Sequence, residues 1–282
     1  DLAEIKQRTR GLPEGTRIEF SEMAYWGRKL LHERFSVDEE QVKEYFPLRH
    51  VVKSMLNLYQ EVLSVRFERI ETGSLWHPDA QLYQVSDGDR VLGHFVLDLY
   101  PRKGKYGHAA AFPIVLGRQE QDGRLVSGLV ALVCNFPKHT DEHPSLLTHL
   151  EVETLLHEFG HVMHALLSSG RWQRQNGFGV PLDFIEALSQ LFEEWAWDTR
   201  VLDRLTRHYR TGEAIPDDLK RALIGSRHHM DATENLQQSV RSLYDLEIHS
   251  QPTDAPVVAQ KLVDRYQEMK LRYESIASPS SS

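Results

Sequence analysis

The sequence predicts a mostly α fold of the α+β class with a small mixed β-sheet. Three observations carry that expectation. Apolar residues at three- and four-residue spacing dominate both ends of the chain, a middle stretch changes to the shorter period of strands, and that stretch is punctuated by Asp87-Gly88 and Asp122-Gly123, both turn signals. With 282 residues, 40% hydrophobic and 26% charged, the chain has enough apolar material for one large core or two smaller ones.

In chain order, residues 22–72 read as helices. Ser36 and Glu39 have the spacing of a capping box, and Pro47 precedes the amphipathic run Leu48, Val51, Val52, Met55, Leu56, Leu58, Tyr59, Val62, Leu63. Leu82–Val85 and Val91–Tyr100 are strand-like around the first Asp-Gly, and 106–116 and 125–136 flank the second, which gives four strands in one sheet of unread pairing order. The loop Lys138-His139-Thr140-Asp141 continues to His143 and Pro144; its two histidines sit in turn-forming sequence and read as solvated rather than metal-binding. Thr148, with Glu151 three places on, opens a helix through residue 168 that Gly170 ends. After a Gly-rich connection, Pro181 and Asp183 introduce a second long helix reaching about Tyr209, with Asp183 a candidate N-cap. Residues 211–216 form a short linker, two further helices occupy about 216–249 and 255–275, and 276–282 are a polar, disordered tail. The expected division is therefore 1–80 helical, 81–137 sheet, and 138–275 helical, packed as one structural unit.

The formal net charge of −8 argues against nucleic acid as a partner, because a phosphate backbone calls for a basic surface. No stretch approaches the roughly 18 to 20 apolar residues that span a bilayer, so no membrane partner is expected. The single cysteine, Cys134, lies in the apolar run 128–134 and reads as buried, which fits a reducing compartment. The start at Asp1 has no apolar leader, and the expectation is a cytoplasmic protein, or one of the mitochondrial matrix after processing.

The chemistry is concentrated in Leu156-His157-Glu158-Phe159-Gly160-His161. Two histidines four apart on a helix project from one face toward one metal, and the intervening Glu158 is placed to act as general base toward a metal-activated water. In a chain with 15 histidines the bare H-E-x-x-H pattern is only suggestive. Its place inside an apolar helix, with Leu155, Leu156, Phe159, Val162, Met163 and Leu166 as packing residues, raises its weight. A third ligand candidate follows on the next helix, where Glu186 is acidic in an otherwise apolar turn; facing a metal would offset the cost of that placement and complete a His₂Glu site for Zn²⁺. Asp183 and Gln190 stand one turn to either side and are candidates to orient a ligand, while Glu193 and Glu194 read first as a solvated face, with a ligand-orienting role for one of them as the lesser reading.

The segment Glu153–His164, followed by Asp183-Phe184-Ile185-Glu186-Ala187-Leu188-Ser189-Gln190, resembles the thimet oligopeptidase and oligopeptidase A family of zinc metallopeptidases. Phe46-Pro47-Leu48, Leu97–Arg102, Lys105–Ala109 and Asn135-Phe136-Pro137 extend the resemblance over most of residues 20–275. It implies a zincin-like core and one Zn²⁺ per chain, with His157, His161 and Glu186 as ligands and Glu158 as catalytic base. It also implies short unstructured peptides as substrates and a strand near 106–110 beside the cleft. Leu188 stands where the family usually has proline. Family members are about twice this length or more, with a helical N-terminal region and a downstream Tyr- and Gly-rich segment bearing a histidine. The chain stops near where that segment would begin, and no role passes to His228, His229 or Tyr244. The expected activity is metalloendopeptidase. The alternatives are a core that binds zinc or peptide with little turnover, or one piece of a split enzyme completed by another chain.

Overall fold

The period change at the end of the first helical segment sets the frame for the site. A computed structural model describes residues 22–141, 143–168, 170, 172–251 and 259–273. The fold is mostly helical with a small mixed sheet. The polar tail at 276–282 lies outside the described residues.

Two units divide the chain, residues 38–220 and residues 1–37 with 221–282. In the larger unit, helix α2 (Glu39–Lys43; α1 belongs to the other unit) starts at Asp38, whose side chain accepts from the Glu40 N–H. The expected cap at Ser36 is instead a left-handed helix end, φ 56°. Helix α3 (Leu48–Leu63) buries Leu48, Val51, Met55, Leu56, Leu58 and Tyr59 along one stripe and ends at Ser64, φ 55°. Strand β1 (Arg66–Ile70) follows, although its sequence was expected to continue the helical segment. Pairing with the next strand overrides local propensity there, and Phe67 packs against Phe95 and Phe159 at 5.5 and 5.7 Å.

β2 (Gln81–Asp87) and β3 (Arg90–Asp98) form the expected hairpin, turned at Gly88, whose φ of 57° suits a residue without a Cβ. The chain next forms β4 (Ala110–Val115), then the two short strands β5 (Arg118–Gln119) and β6 (Leu125–Val126), which pair with each other. β7 (Gly128–Val133) then inserts between β3 and β4, parallel to the first and antiparallel to the second. The five-stranded order β1-β2-β3-β7-β4 leaves β4 at an edge. One strand more than expected is in the main sheet, and the second Asp-Gly turns a separate two-stranded ribbon.

A buried ionic knot ties the ends of β3 and β7. The Asp98 carboxylate, 2% exposed, accepts two bonds from Arg102 at 2.7 and 2.8 Å, one from Trp76 Nε1 at 2.9 Å, and lies 3.0 Å from Lys105 Nζ. Burial alone would raise the Asp98 pKa, but Arg102, Trp76 and Lys105 together hold it down at about 2. Lys105 also donates to the carbonyls of Asp98, Tyr100 and Cys134, so the loop leading into β4 is fixed from inside. Cys134 is buried as expected, and burial pushes its thiol pKa well up.

Helix α4 (His149–Leu167) opens with a complete Thr148/Glu151 capping box and packs against the sheet, with Val152, Leu155, Leu156, Phe159, Val162, Met163 and Leu166 in the core. The second long helix expected from 181 to 209 is interrupted. α5 (Leu182–Glu193) gives way to a 3₁₀ turn at Glu194–Trp197, and α6 (Thr199–Leu205) begins afresh because Asp198, in extended conformation, accepts the Arg200 and Val201 N–H groups. Helix α7 (Asp217–Gly225) carries the chain from this unit to the other. There, α1 (Met23–Phe35), α8 (Asp231–His249) and α9 (Ala259–Tyr273) account for the rest. A left-handed Met230, φ 70°, separates α7 from α8 where one helix was expected. No helix among the described residues is long and apolar enough to cross a membrane.

Candidate metal centre

Helices α4 and α5 approach closely because residue 160 is glycine. A Cβ there would stand 2.9 Å from both Phe192 Cδ2 and Ser189 Cα, closer than side chains pack. That approach brings Glu186 of α5 to the histidine face of α4. His157 Nε2 and His161 Nε2 are 3.1 Å apart, and Glu186 Oε2 lies 3.3 Å from the first and 3.2 Å from the second. A tetrahedral ion with ligand bonds of about 2.0–2.1 Å holds neighbouring donors about 3.3 Å apart. The three side chains thus fit one ion, and they are the group of His and carboxylate atoms within mutual reach that could hold a metal among the described residues.

The surroundings orient each member. His157 Nδ1 pairs with the Glu193 carboxylate, which keeps the ring proton on Nδ1 and leaves Nε2 free toward the cluster. Ser189, fully buried, has its hydroxyl 2.9 Å from both Glu186 Oε2 and the Glu186 carbonyl oxygen, three residues back on the same helix. His161 is 8% exposed and its Nδ1 is buried with no partner among the described residues. Burial lowers the His161 pKa against the opposing pull of Glu186. Glu158 lies beside the cluster, 9% exposed, with the backbone of Ala111 in the edge strand β4 close by. Its burial raises the carboxyl pKa, while His157 and the Ala111 backbone act the other way.

The expectations for the neighbouring acids change. Glu186 is about half exposed, and the apolar residues around it, Leu182, Phe184 and Leu191, face outward too. Its turn is therefore largely exposed rather than directed at the core; α5 buries only Ile185, Ser189 and Phe192. Pro181, not Asp183, is the N-cap, and Asp183 stands in the first turn, where the helix dipole favours a carboxylate. Neither Asp183 nor Gln190 reaches a cluster residue, whereas Glu193 does, which is the lesser of the two readings given to it above. Its position one helix away and 36 residues on hid the pairing, although seven residues after Glu186 is two turns along the same face. His139 and His143 are exposed and outside the cluster. In the other unit, His228 pairs with Asp231, His229 with the Gly27 carbonyl, and Tyr244 donates to the Leu262 carbonyl.

A model of peptidase family M3 matches residues 1–282. The chain belongs to this family. It is 40% identical over 232 residues to a thimet-like oligopeptidase of Dictyostelium discoideum, covering 80% of this chain and 34% of that protein. Identity is 38% over 244 residues with a mitochondrial intermediate peptidase of Arabidopsis thaliana, covering 85% and 34%. It is 31% over 261 residues with oligopeptidase A of Escherichia coli (strain K12), covering 92% and 38%. The chain spans about a third of the length of the curated relatives it matches. Membership agrees with the resemblance read from residues 153–164 and 183–190.

Proposed function

We propose that this M3 peptidase chain carries the metal ligands and general base of a zinc-dependent endopeptidase acting on short, unstructured peptides. The observation that supports this reading best is the near-equilateral triangle of His157 Nε2, His161 Nε2 and Glu186 Oε2, with Glu158 beside it. An ion held by these three would supply Lewis acidity and lower the pKa of a water, and two imidazoles with one carboxylate favour Zn²⁺, one per chain. Glu158, beside the ligands, takes a proton from the attacking water and returns it to the leaving amine. Glu193 holds the His157 ring and Ser189 the Glu186 carboxylate in place while that transfer occurs.

An exposed sheet edge supports the substrate class. β4 is the last strand of its sheet, and Phe112 and Ile114 on it are exposed, so an extended peptide can add alongside by main-chain hydrogen bonds. An unstructured peptide offers that conformation without first unfolding. We place the protein in the cytoplasm or the mitochondrial matrix, in keeping with its one buried, unpaired cysteine.

The test is cleavage of a quenched fluorescent peptide of about eight to ten residues, with metal content measured alongside. Cleavage that a chelator abolishes and Zn²⁺ restores, and that Glu158→Gln loses while keeping its metal, supports the proposal. Stoichiometric metal with no cleavage in folded protein would replace it with a metal-binding core that needs further segments or a second chain for turnover.

A further inference from the structure

A cavity in the larger unit has a character opposite to that of the chain. It holds about 570 Å³, within the range of small-molecule sites, and is formed by the first turn of α3, the loop before α4, and the segment after α6. Arg49, Arg207 and Arg210 line it together with His50, His139 and His208, and none of its described lining residues is Asp or Glu. In a chain with 41 acidic and 33 basic residues, a cavity so composed is not an average sample of the surface.

The arginines of this unit usually have carboxylate partners: Arg102 with Asp98, Arg204 with Glu61, Arg118 with Glu120, Arg200 with Asp198. Among the described residues no carboxylate pairs with Arg49 or Arg207, and Arg210 instead covers the Tyr209 ring at 5.0 Å. Two carboxylates reach lining side chains from outside the lining, Glu213 at 3.0 Å from Thr211 Oγ1 and Glu44 at 3.4 Å from His208 Nε2, and neither reaches an arginine. His208 Nδ1 accepts the N–H groups of Arg210 and Thr211, which fixes the turn carrying the third arginine. Ser145, 6% exposed, lines the same cavity, and its hydroxyl has no hydrogen-bond partner among the described residues. A buried hydroxyl without a partner costs stability unless something fills that role. The first turn of the sixteen-residue α3 adds the positive end of a helix dipole.

We propose that this cavity binds a small molecule carrying a di- or triphosphate group, with Arg49 and Arg207 as the principal charge partners and Ser145 as a hydrogen-bond donor. Guanidinium groups suit phosphate oxygens because two parallel N–H donors match two oxygens. Tyr100, also in the lining, offers ring surface to an organic portion, while the Tyr209 ring is occupied by Arg210 and by His208, stacked on it at 5.3 Å. The site is separate from the metal centre. His149, at the start of α4, is already about 12 Å along the helix axis from His157, and Ser145 precedes it.

The experiment is calorimetric titration of the whole chain with inorganic pyrophosphate and with ADP, at fixed ionic strength. It is run on metal-stripped protein because phosphates themselves ligate zinc. The expected result is one saturable site per chain, weakened at least tenfold by Arg49→Ala with Arg207→Ala and unchanged by His157→Ala. Both arginines are exposed, so the double variant keeps its fold, checked by circular dichroism, and Arg207→Glu alone gives a second reading with a larger loss. Tighter ADP than pyrophosphate assigns a nucleotide-like ligand, and equal affinity assigns the phosphates alone. Absence of saturable binding, equal binding of sulfate, indifference to the arginine variants, or loss in His157→Ala would each overturn the proposal.

Discussion

Gly160→Ala tests the helix contact on which the proposed metal centre depends. The added methyl would meet Phe192 Cδ2 and Ser189 Cα at 2.9 Å, whereas ordinary contact starts at 3.4 Å, so α5 must retreat by 3.4 − 2.9 = 0.5 Å or the side chains must distort. One of the two obstacles is backbone and cannot rotate away. Overpacking of this kind costs about 1–3 kcal/mol, which in a chain of this size lowers Tm by several degrees. The displacement also acts on the ligand, because Ser189 is the residue that orients Glu186, and a shifted Ser189 carries that carboxylate away from His157 and His161. Zinc affinity, measured by competition with a chromogenic chelator, should fall by about tenfold, in line with the loss of one ligand-orienting contact. Gly73→Ala, where nothing lies within 4 Å of the added methyl, is the control and should change neither quantity. If Gly160→Ala keeps both the Tm and the zinc affinity of the parent, the close approach of α4 and α5 does not position Glu186 and the reasoning fails.

Other expectations follow from particular contacts. Glu193→Gln should weaken zinc binding by about 10–100-fold with little change in Tm, and an unchanged affinity in chelator competition would mean that the His157 ring needs no partner on Nδ1. Lys105→Met leaves Asp98 with one cation fewer and three carbonyls without their donor, so a loss of about 3–5 kcal/mol in urea unfolding is expected; a loss below about 1 kcal/mol would show the knot to be dispensable. His149 gives a pH dependence. Burial lowers its pKa to about 4, against the opposing bond from its ring to the Ala196 carbonyl, while the unfolded residue titrates near 6.5. Between those values the unfolded chain binds the extra proton, so stability contributed by this residue is complete above about 6.5 and is lost as pH falls toward 4. The amount is about 3 kcal/mol from 6.5 − 4 at about 1.36 kcal/mol per unit. His149→Gln should flatten the fall of Tm over that window, and an equally steep fall in the variant would assign it elsewhere.

Much of the fold was legible where local rules decide it. The Thr148/Glu151 box, the Gly88 hairpin and the stripe of α3 each depend on residues within a turn or two of one another, and each is in the structure, although Val62 of the α3 run is exposed. What failed was decided at a distance. Residues 66–70 are a strand because β2 lies beside them, and β7 parts β3 from β4, an order that no local signal encodes. The break after α5 was hidden because Trp195, Ala196 and Trp197 continue an apolar pattern, while Asp198 works as a cap only in the conformation it adopts. In the site, His157 and His161 were legible from spacing. Glu186 was legible as a lone acid in an apolar turn, although that turn is largely exposed instead of directed at the core. The Glu193 partnership and the Ala111 backbone beside Glu158 depend on how α5 and β4 meet α4, which spacing along the chain does not give.

The most direct test of the central claim, that His157, His161 and Glu186 hold one divalent ion, is zinc content by mass spectrometry after equilibrium dialysis against a zinc buffer. The account predicts one zinc per chain, reduced in Glu186→Ala and abolished in His157→Ala with His161→Ala. Retention of a full equivalent by the double histidine variant, or no zinc in the folded parent chain, would contradict it.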